Sequence, residues 1–253
     1  MRMRDLWCVA ILAVGLAQGQ ERQPGQGVNF YSKEKEIALG RQLAQEFRRN
    51  TAPLDNTAVA DYVKRVGANL AAQLPGGWTY QIETVGQALS PTNPTHEPTA
   101  FPGGFIFVSV DLIPAARNEA EFAGMLAHAM AHVAERHGTR IATRTEIAQI
   151  GAQTAAAGVP DRWVGPTVPL GMRTLQRAFE READSLAVKA MAAAGYDPAG
   201  LGSYVERLEP SSQPDRDQRV DALHAAIRQL PARTYQAGDE FARVQAEVAS
   251  IRK

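Results

Sequence analysis

The sequence predicts an α+β protein, mostly helical with a small β-sheet. Three observations carry that reading. Two long stretches repeat apolar residues at helical spacing: Val59, Tyr62, Val63, Val66 and Leu70 in one, and Leu175, Phe179, Leu186 and Met191 in the other. Only two short stretches read as strands, the alternating Trp78, Tyr80 and Ile82 and the apolar run that follows Pro102-Gly-Gly104. The third observation is the helical stretch 126–137, which sets His128 and His132 four residues apart beside the second strand.

A chain of 253 residues can bury a sizeable core. Lys and Arg together number 27, as do Asp and Glu, so no basic surplus speaks for a nucleic-acid partner. Residues 1–19 have the layout of a secretory signal peptide. Arg2 and Arg4 lead a run of twelve apolar residues at 6–17, and Ala17 and Gly19 stand at cleavage spacing. That run is too short for a comfortable membrane span. The single cysteine, Cys8, lies inside it behind Asp5-Leu-Trp7, not behind the small residues that lipoprotein processing requires. Cleavage would leave no cysteine and no disulfide. The expectation is an exported protein, periplasmic or extracellular, with no integral membrane span in the mature chain. Residues 20–30 read as a flexible lead-in and 31–253 as the folded domain. No feature of the sequence sets an oligomeric state.

The elements follow in order. Ser32 caps a helix to about Arg48, with Ile37, Leu39, Leu43 and Phe47 as its apolar contacts. Asn56 opens a second helix that Pro75-Gly-Gly77 ends. Residues 90–98 hold three prolines and read as loop, with His96 solvated in it. Gly104, Phe105, Ile106, Phe107 and Val108 form the second strand. Just ahead of the histidine helix, it has the place of an edge strand that pairs with an extended peptide by β-augmentation; an interior strand is the alternative. Asn118 caps the histidine helix, and Glu121 reaches back as in a capping box. His137 ends that helix and is expected against its last carbonyls. Residues 139–168 read as a short helix and a connector, or a lid. From about 169 a further helix carries Glu180 and Asp184, again four apart.

Two imidazoles one helical turn apart can converge on one cation, as in the His-Glu-x-x-His pattern of zinc hydrolases. Here Ala129 stands where that pattern has glutamate. Ala129 also falls on the apolar row Phe122, Leu126, Ala129, Val133, where a small core residue is ordinary. A solvated acidic helix face is the default reading of Glu180 and Asp184; paired with the histidine couplet, however, a helical glutamate is the expected third ligand of a His₂Glu zinc site. Asp184, one turn on, can accept the other N–H of a ligand histidine. One Zn²⁺ per chain is expected.

Five features in this order resemble the HtpX and CAAX-prenyl-protease family of zinc metallopeptidases, metallopeptidase family forty-eight, of the gluzincin type. They are the Glu-Ile-Ala-Leu-Gly helix at 32–40, the Pro-Gly-Gly strand at 102–108, the histidines at 128, 132 and 137, Glu-x-Glu-Ala-Asp at 180–184, and Gly-Tyr-Asp-Pro at 195–198. The resemblance implies a single zincin-like domain and assigns His128, His132 and Glu180 as zinc ligands, with Asp184 behind them. It also matches Arg219 to a family arginine near the site, for which substrate or transition-state contact and a plain salt bridge both stay open. Gln213-Pro214 departs from the His-Pro found in many members. The larger departure is Ala129, which replaces the family's general-base glutamate. Loss of a positioned base typically costs about 10²–10⁴-fold in rate. The resemblance therefore implies a metalloendopeptidase for unfolded or extended polypeptides, in a base-deficient and inactive or strongly impaired form, whether engineered or natural. The alternative is a natural pseudoprotease, a zinc-stabilised peptide- or partner-binding protein.

Overall fold

The computed structural model describes residues 25, 27–86, 96–156, 170–208, 215–235 and 238–251. The expected signal peptide lies outside these residues, as do the stretch 157–169 of the lid question and Gln213-Pro214.

The fold is built around one helix that is apolar on every side. Helix α4, Glu119–Ala134, has only Glu119, Ala120 and His132 outside its buried set. A helix of that composition must be covered all round. It packs on α2 (Thr57–Ala71), α6 (Leu170–Ala194), α7 (Ala199–Glu206) and one edge of the sheet. Phe122, Leu126 and Met130 are fully buried, and each contributes about 1.5–3 kcal/mol by leaving water. Asn118 caps the helix by accepting from Glu121 N at 2.9 Å. The Glu121 carboxylate reaches back as expected, though to Arg117 N at 2.8 Å, one residue before the usual capping-box donor. Small residues bring α7 close: a Cβ on Gly200 would sit 2.4 Å from the Ala120 carbonyl carbon.

Helix α2 buries the expected row of Val59, Tyr62, Val63, Val66 and Leu70. Helix α1 (Lys33–Arg49) begins at its Ser32 cap, and Phe47 packs on Phe101 and Phe107 as expected, but the fully buried positions are not the large apolar ones. Glu36, Gly40 and Ala44 point inward while Leu43 is exposed. The reason is proximity: a Cβ on Gly40 would lie 1.7 Å from the Pro102 carbonyl oxygen, so α1 rests backbone to backbone on the Pro-Gly-Gly turn.

The sheet has three strands in the order β1–β3–β2, with β1 Gln81–Val85, β2 Thr99–Phe101 and β3 Phe105–Ser109. Strand β3 pairs in parallel with β1 and antiparallel with β2, so it is the central strand. That corrects the expectation of a substrate-pairing edge at Gly104, Phe105, Ile106, Phe107 and Val108. Phe105, Ile106 and Phe107 are flanked by a strand on both sides, and the side chains from Phe105 to Val108 are buried. The strand beside α4 is β2, three residues long and without a periodic signature.

Two C-terminal helices that the sequence reading did not separate close the core. Helix α8 (Arg216–Arg228) packs on α6 and α7. Helix α9 (Glu240–Ile251) places Phe241 against Tyr62 and Phe122. Of the expected flexible lead-in, residues 20–24 and 26 lie outside the described residues, and the rest is tied down at two points: Gly25 N donates to Glu135, and Phe30 N donates to Thr143 on helix α5 (His137–Ala156). No helix among the described residues is long and apolar enough to cross a membrane.

Candidate metal centre

Helices α4 and α6 present their i,i+4 pairs to each other. Nε2 of His128 lies 3.1 Å from Nε2 of His132. The Glu180 carboxylate lies 3.4 Å from His128 Nε2 and 3.6 Å from His132 Nε2. Tetrahedral zinc with arms of about 2.0–2.1 Å has ligand-to-ligand edges of roughly 3.3 Å. The two imidazole nitrogens and the Glu180 oxygens, Oε2 toward His128 and Oε1 toward His132, are spaced about as such a site requires, and two imidazoles with a carboxylate are a zinc donor set. His128, His132 and Glu180 thus fit the ion. His96 belongs to neither group of potential ligands found among the described residues.

Behind the donors stands a second layer. Nδ1 of His128 is 2.9 Å from Oδ1 of Asp184, a close contact that falls short of a well-aligned hydrogen bond. Asp184 is in turn gripped by Arg219, whose Nε and Nη2 donate to Oδ2 and Oδ1 at 2.9 Å each. Nη1 of Arg219 is 3.4 Å from Glu180. Arg219 therefore forms the salt bridge that the sequence left as one of two options, and it also lines the cleft described below. In the metal-free protein the shifts of His128, Glu180, Asp184 and Arg219 all favour the charged form. Burial alone would raise the Asp184 and Glu180 pKa values, but His128 and Arg219 outweigh it and hold both carboxyls below their usual range. Burial alone would lower the His128 pKa; the Asp184 and Glu180 carboxylates against its ring push it up to about 10. His132 goes the other way, lowered to about 3 by burial and by the adjacent His128 charge.

His137 does not meet last-turn carbonyls. The chain leaves α4 through Arg136 in a left-handed conformation, φ 58°, and His137 opens α5. Its Nδ1 lies 2.9 Å from Nδ1 of His132, and its Nε2 lies 3.2 Å from Glu182. Arg136 is locked there by Glu36 at 2.7 Å. No spacing in the sequence marks Glu182 or Arg140, whose Nη1 donates to Glu182 at 2.9 Å. Glu182 sits two residues past Glu180 and so points away from the ligand face of α6.

A cleft of about 580 Å³ opens onto the donors. His132, Glu180, Arg219, Phe179, Ile141 and Glu97 are among its walls. His128 is sealed behind them at 4% exposure, and Ala129 next to it is equally buried.

Residues 53–227 match the model of peptidase family M48. The chain belongs to that family. The match takes in α4, the donor set and Arg219, so the fold is that of an M48 metallopeptidase. The chain is similar to the β-barrel assembly-enhancing protease of Yersinia pestis, 23% identical over 217 residues that make up 79% of this chain and 43% of that one. With the protease of the same name from Escherichia coli strain K12 it is 21% identical over 213 residues, 78% of this chain and 43% of the relative. A putative counterpart in Vibrio cholerae is 23% identical over 188 residues, 69% and 38% of the two chains. The chain spans less than half the length of these curated M48 relatives.

Proposed function

We propose that this M48 chain binds one zinc through His128, His132 and Glu180 and carries the groove of a metalloendopeptidase for extended polypeptide, without its general base. The observation that carries the reading is the convergence of these three donors, two of which line the cleft, with Ala129 beside His128 where the zinc-hydrolase pattern has glutamate. When bound, zinc supplies a Lewis acid that polarises a peptide carbonyl and acidifies water. The side chains supply the rest. Asp184 and Arg219 fix His128 and Glu180, and the His128 face is kept dry. The outer edge of β2, which has no strand partner among the described residues, is the edge offered to an extended chain. Glu97, just before β2, lines the same cleft, so a peptide paired there would run toward the donors. The methyl of Ala129 can neither take nor return a proton. We further propose export of the chain, on its first nineteen residues.

Replacing that methyl tests the reading. Ala129→Glu puts a carboxylate beside the ligand row, and both residues are good helix formers. Zinc-loaded A129E is expected to cleave unfolded casein in a chelator-sensitive way, about 10²–10⁴-fold faster than the parent. A folded, zinc-loaded A129E that stays inert on diverse unfolded substrates would instead favour a pseudoprotease that uses the groove to hold peptide. Ala129 is the observation that keeps that second reading alive.

A further inference from the structure

The geometry points to a positioning relay behind His132: Glu182 orients His137, and His137 fixes the tautomer of His132 that presents Nε2 to the metal. The inference rests on the zinc reading above, but the relay is built into the metal-free protein.

With one proton on each of His132 and His137, the contacts admit one consistent arrangement. Glu182, a carboxylate also held by Arg140, can only accept, so His137 donates through Nε2–H at 3.2 Å. The Nδ1 of neutral His137 then carries a lone pair. It accepts from Nδ1–H of His132 at 2.9 Å, which leaves Nε2 of His132 bare. That bare nitrogen is the atom 3.1 Å from His128 Nε2 and 3.6 Å from Glu180. Reversing His132 alone would set two lone pairs against each other, and reversing His137 alone two N–H groups; reversing both would turn the His137 Nε2 lone pair onto the Glu182 carboxylate.

Packing holds the relay in place. The His137 ring stacks on Phe179 at 4.2 Å and 14°, and it is 1% exposed. Arg140 lies 4.3 Å from the centre of the same Phe179 ring. The two ligand imidazoles are thus served by separate acceptors, Asp184 for His128 and His137 for His132. Glu135, His137 and Glu182 also lie near enough to one another to be read as a second metal group. The Arg140 guanidinium, 2.9 Å from Glu182 and 4.0 Å from Glu135, already supplies the cation there.

Long-range ¹H–¹⁵N imidazole spectra of the metal-free protein read the tautomer directly. The parent is expected to hold the His132 proton on Nδ1. His137→Phe keeps the stacking on Phe179 but removes the acceptor, so His132 should populate both tautomers. Zinc affinity by chelator competition should fall about 10–100-fold in His137→Phe. His137→Gln, whose amide can accept from His132 and donate to Glu182, should stay close to the parent in both readouts; a mere packing role would predict the reverse order. Three results would overturn the relay: a His132 proton on Nε2 in the parent, an unchanged tautomer and affinity in His137→Phe, or two zinc ions per parent chain with one lost in His137→Phe. A parent that takes up no zinc would refute the metal reading alone, since the tautomer spectra still judge the relay.

Discussion

Asp184 touches His128 and Arg219 at the same distance: 2.9 Å from its carboxylate to the imidazole Nδ1 on one side and 2.9 Å to the guanidinium on the other. The aspartate thereby turns Nε2 of His128 toward His132 and Glu180, and the arginine keeps the aspartate charged. Asp184→Asn retains the shape but not the charge. It should weaken zinc retention by about 10–100-fold without abolishing it. Chelator competition measures the shift; an unchanged affinity would mean that the contact orients nothing.

Arg219 is the counter-ion of the buried Asp184 and the half-buried Glu180. Arg219→Ala strands them, and removing one partner of a buried pair typically costs about 3–5 kcal/mol. For a domain of this size that corresponds to a fall in Tm of roughly 10 °C. Arg219→Lys should lose less, but still measurably, because an ammonium cannot donate the paired Nε and Nη2 bonds. Thermal melts of the metal-free variants show the order; a Tm unmoved in Arg219→Ala would contradict it.

Zinc binding should depend on pH through His128. Its pKa is raised to about 10 in the metal-free protein, so at neutral pH zinc must displace its proton. His132, lowered to about 3, is already neutral, and Glu180 is already ionised. About one proton should leave per zinc, and affinity should rise roughly tenfold per unit between pH 6 and pH 8. Titration calorimetry in buffers of different ionisation enthalpy counts the protons. A pH-independent affinity over that range would show that the metal does not take His128.

Gly40→Ala tests the seating of α1. The substitution gains helix propensity, up to about 1 kcal/mol, but its methyl would meet the Pro102 carbonyl oxygen at 1.7 Å. Backbone must move, so a net loss of about 1–3 kcal/mol is expected. A stabilised G40A in urea denaturation would mean that α1 does not rest on that turn.

Much of the site was legible because its donors come in helical pairs: His128 with His132, and Glu180 with Asp184, each one turn apart. Helix α2 was legible for the same reason. The relay was not, because its path runs through the left-handed Arg136, which reverses the chain and brings His137 back onto His132. No periodicity encodes that turn. Strand β2, at three residues, carries no periodic signal, and without it the sequence presents β3 as an edge. Gly40 and Ala44 bury by being small, so no large apolar residue marks their face of α1.

The most direct measurement is zinc per chain by native mass spectrometry, for the parent and for the double variant His128→Ala with His132→Ala. One zinc in the parent and none in the folded double variant is the predicted result. Zinc content that the double variant leaves untouched would place the metal elsewhere and contradict the account.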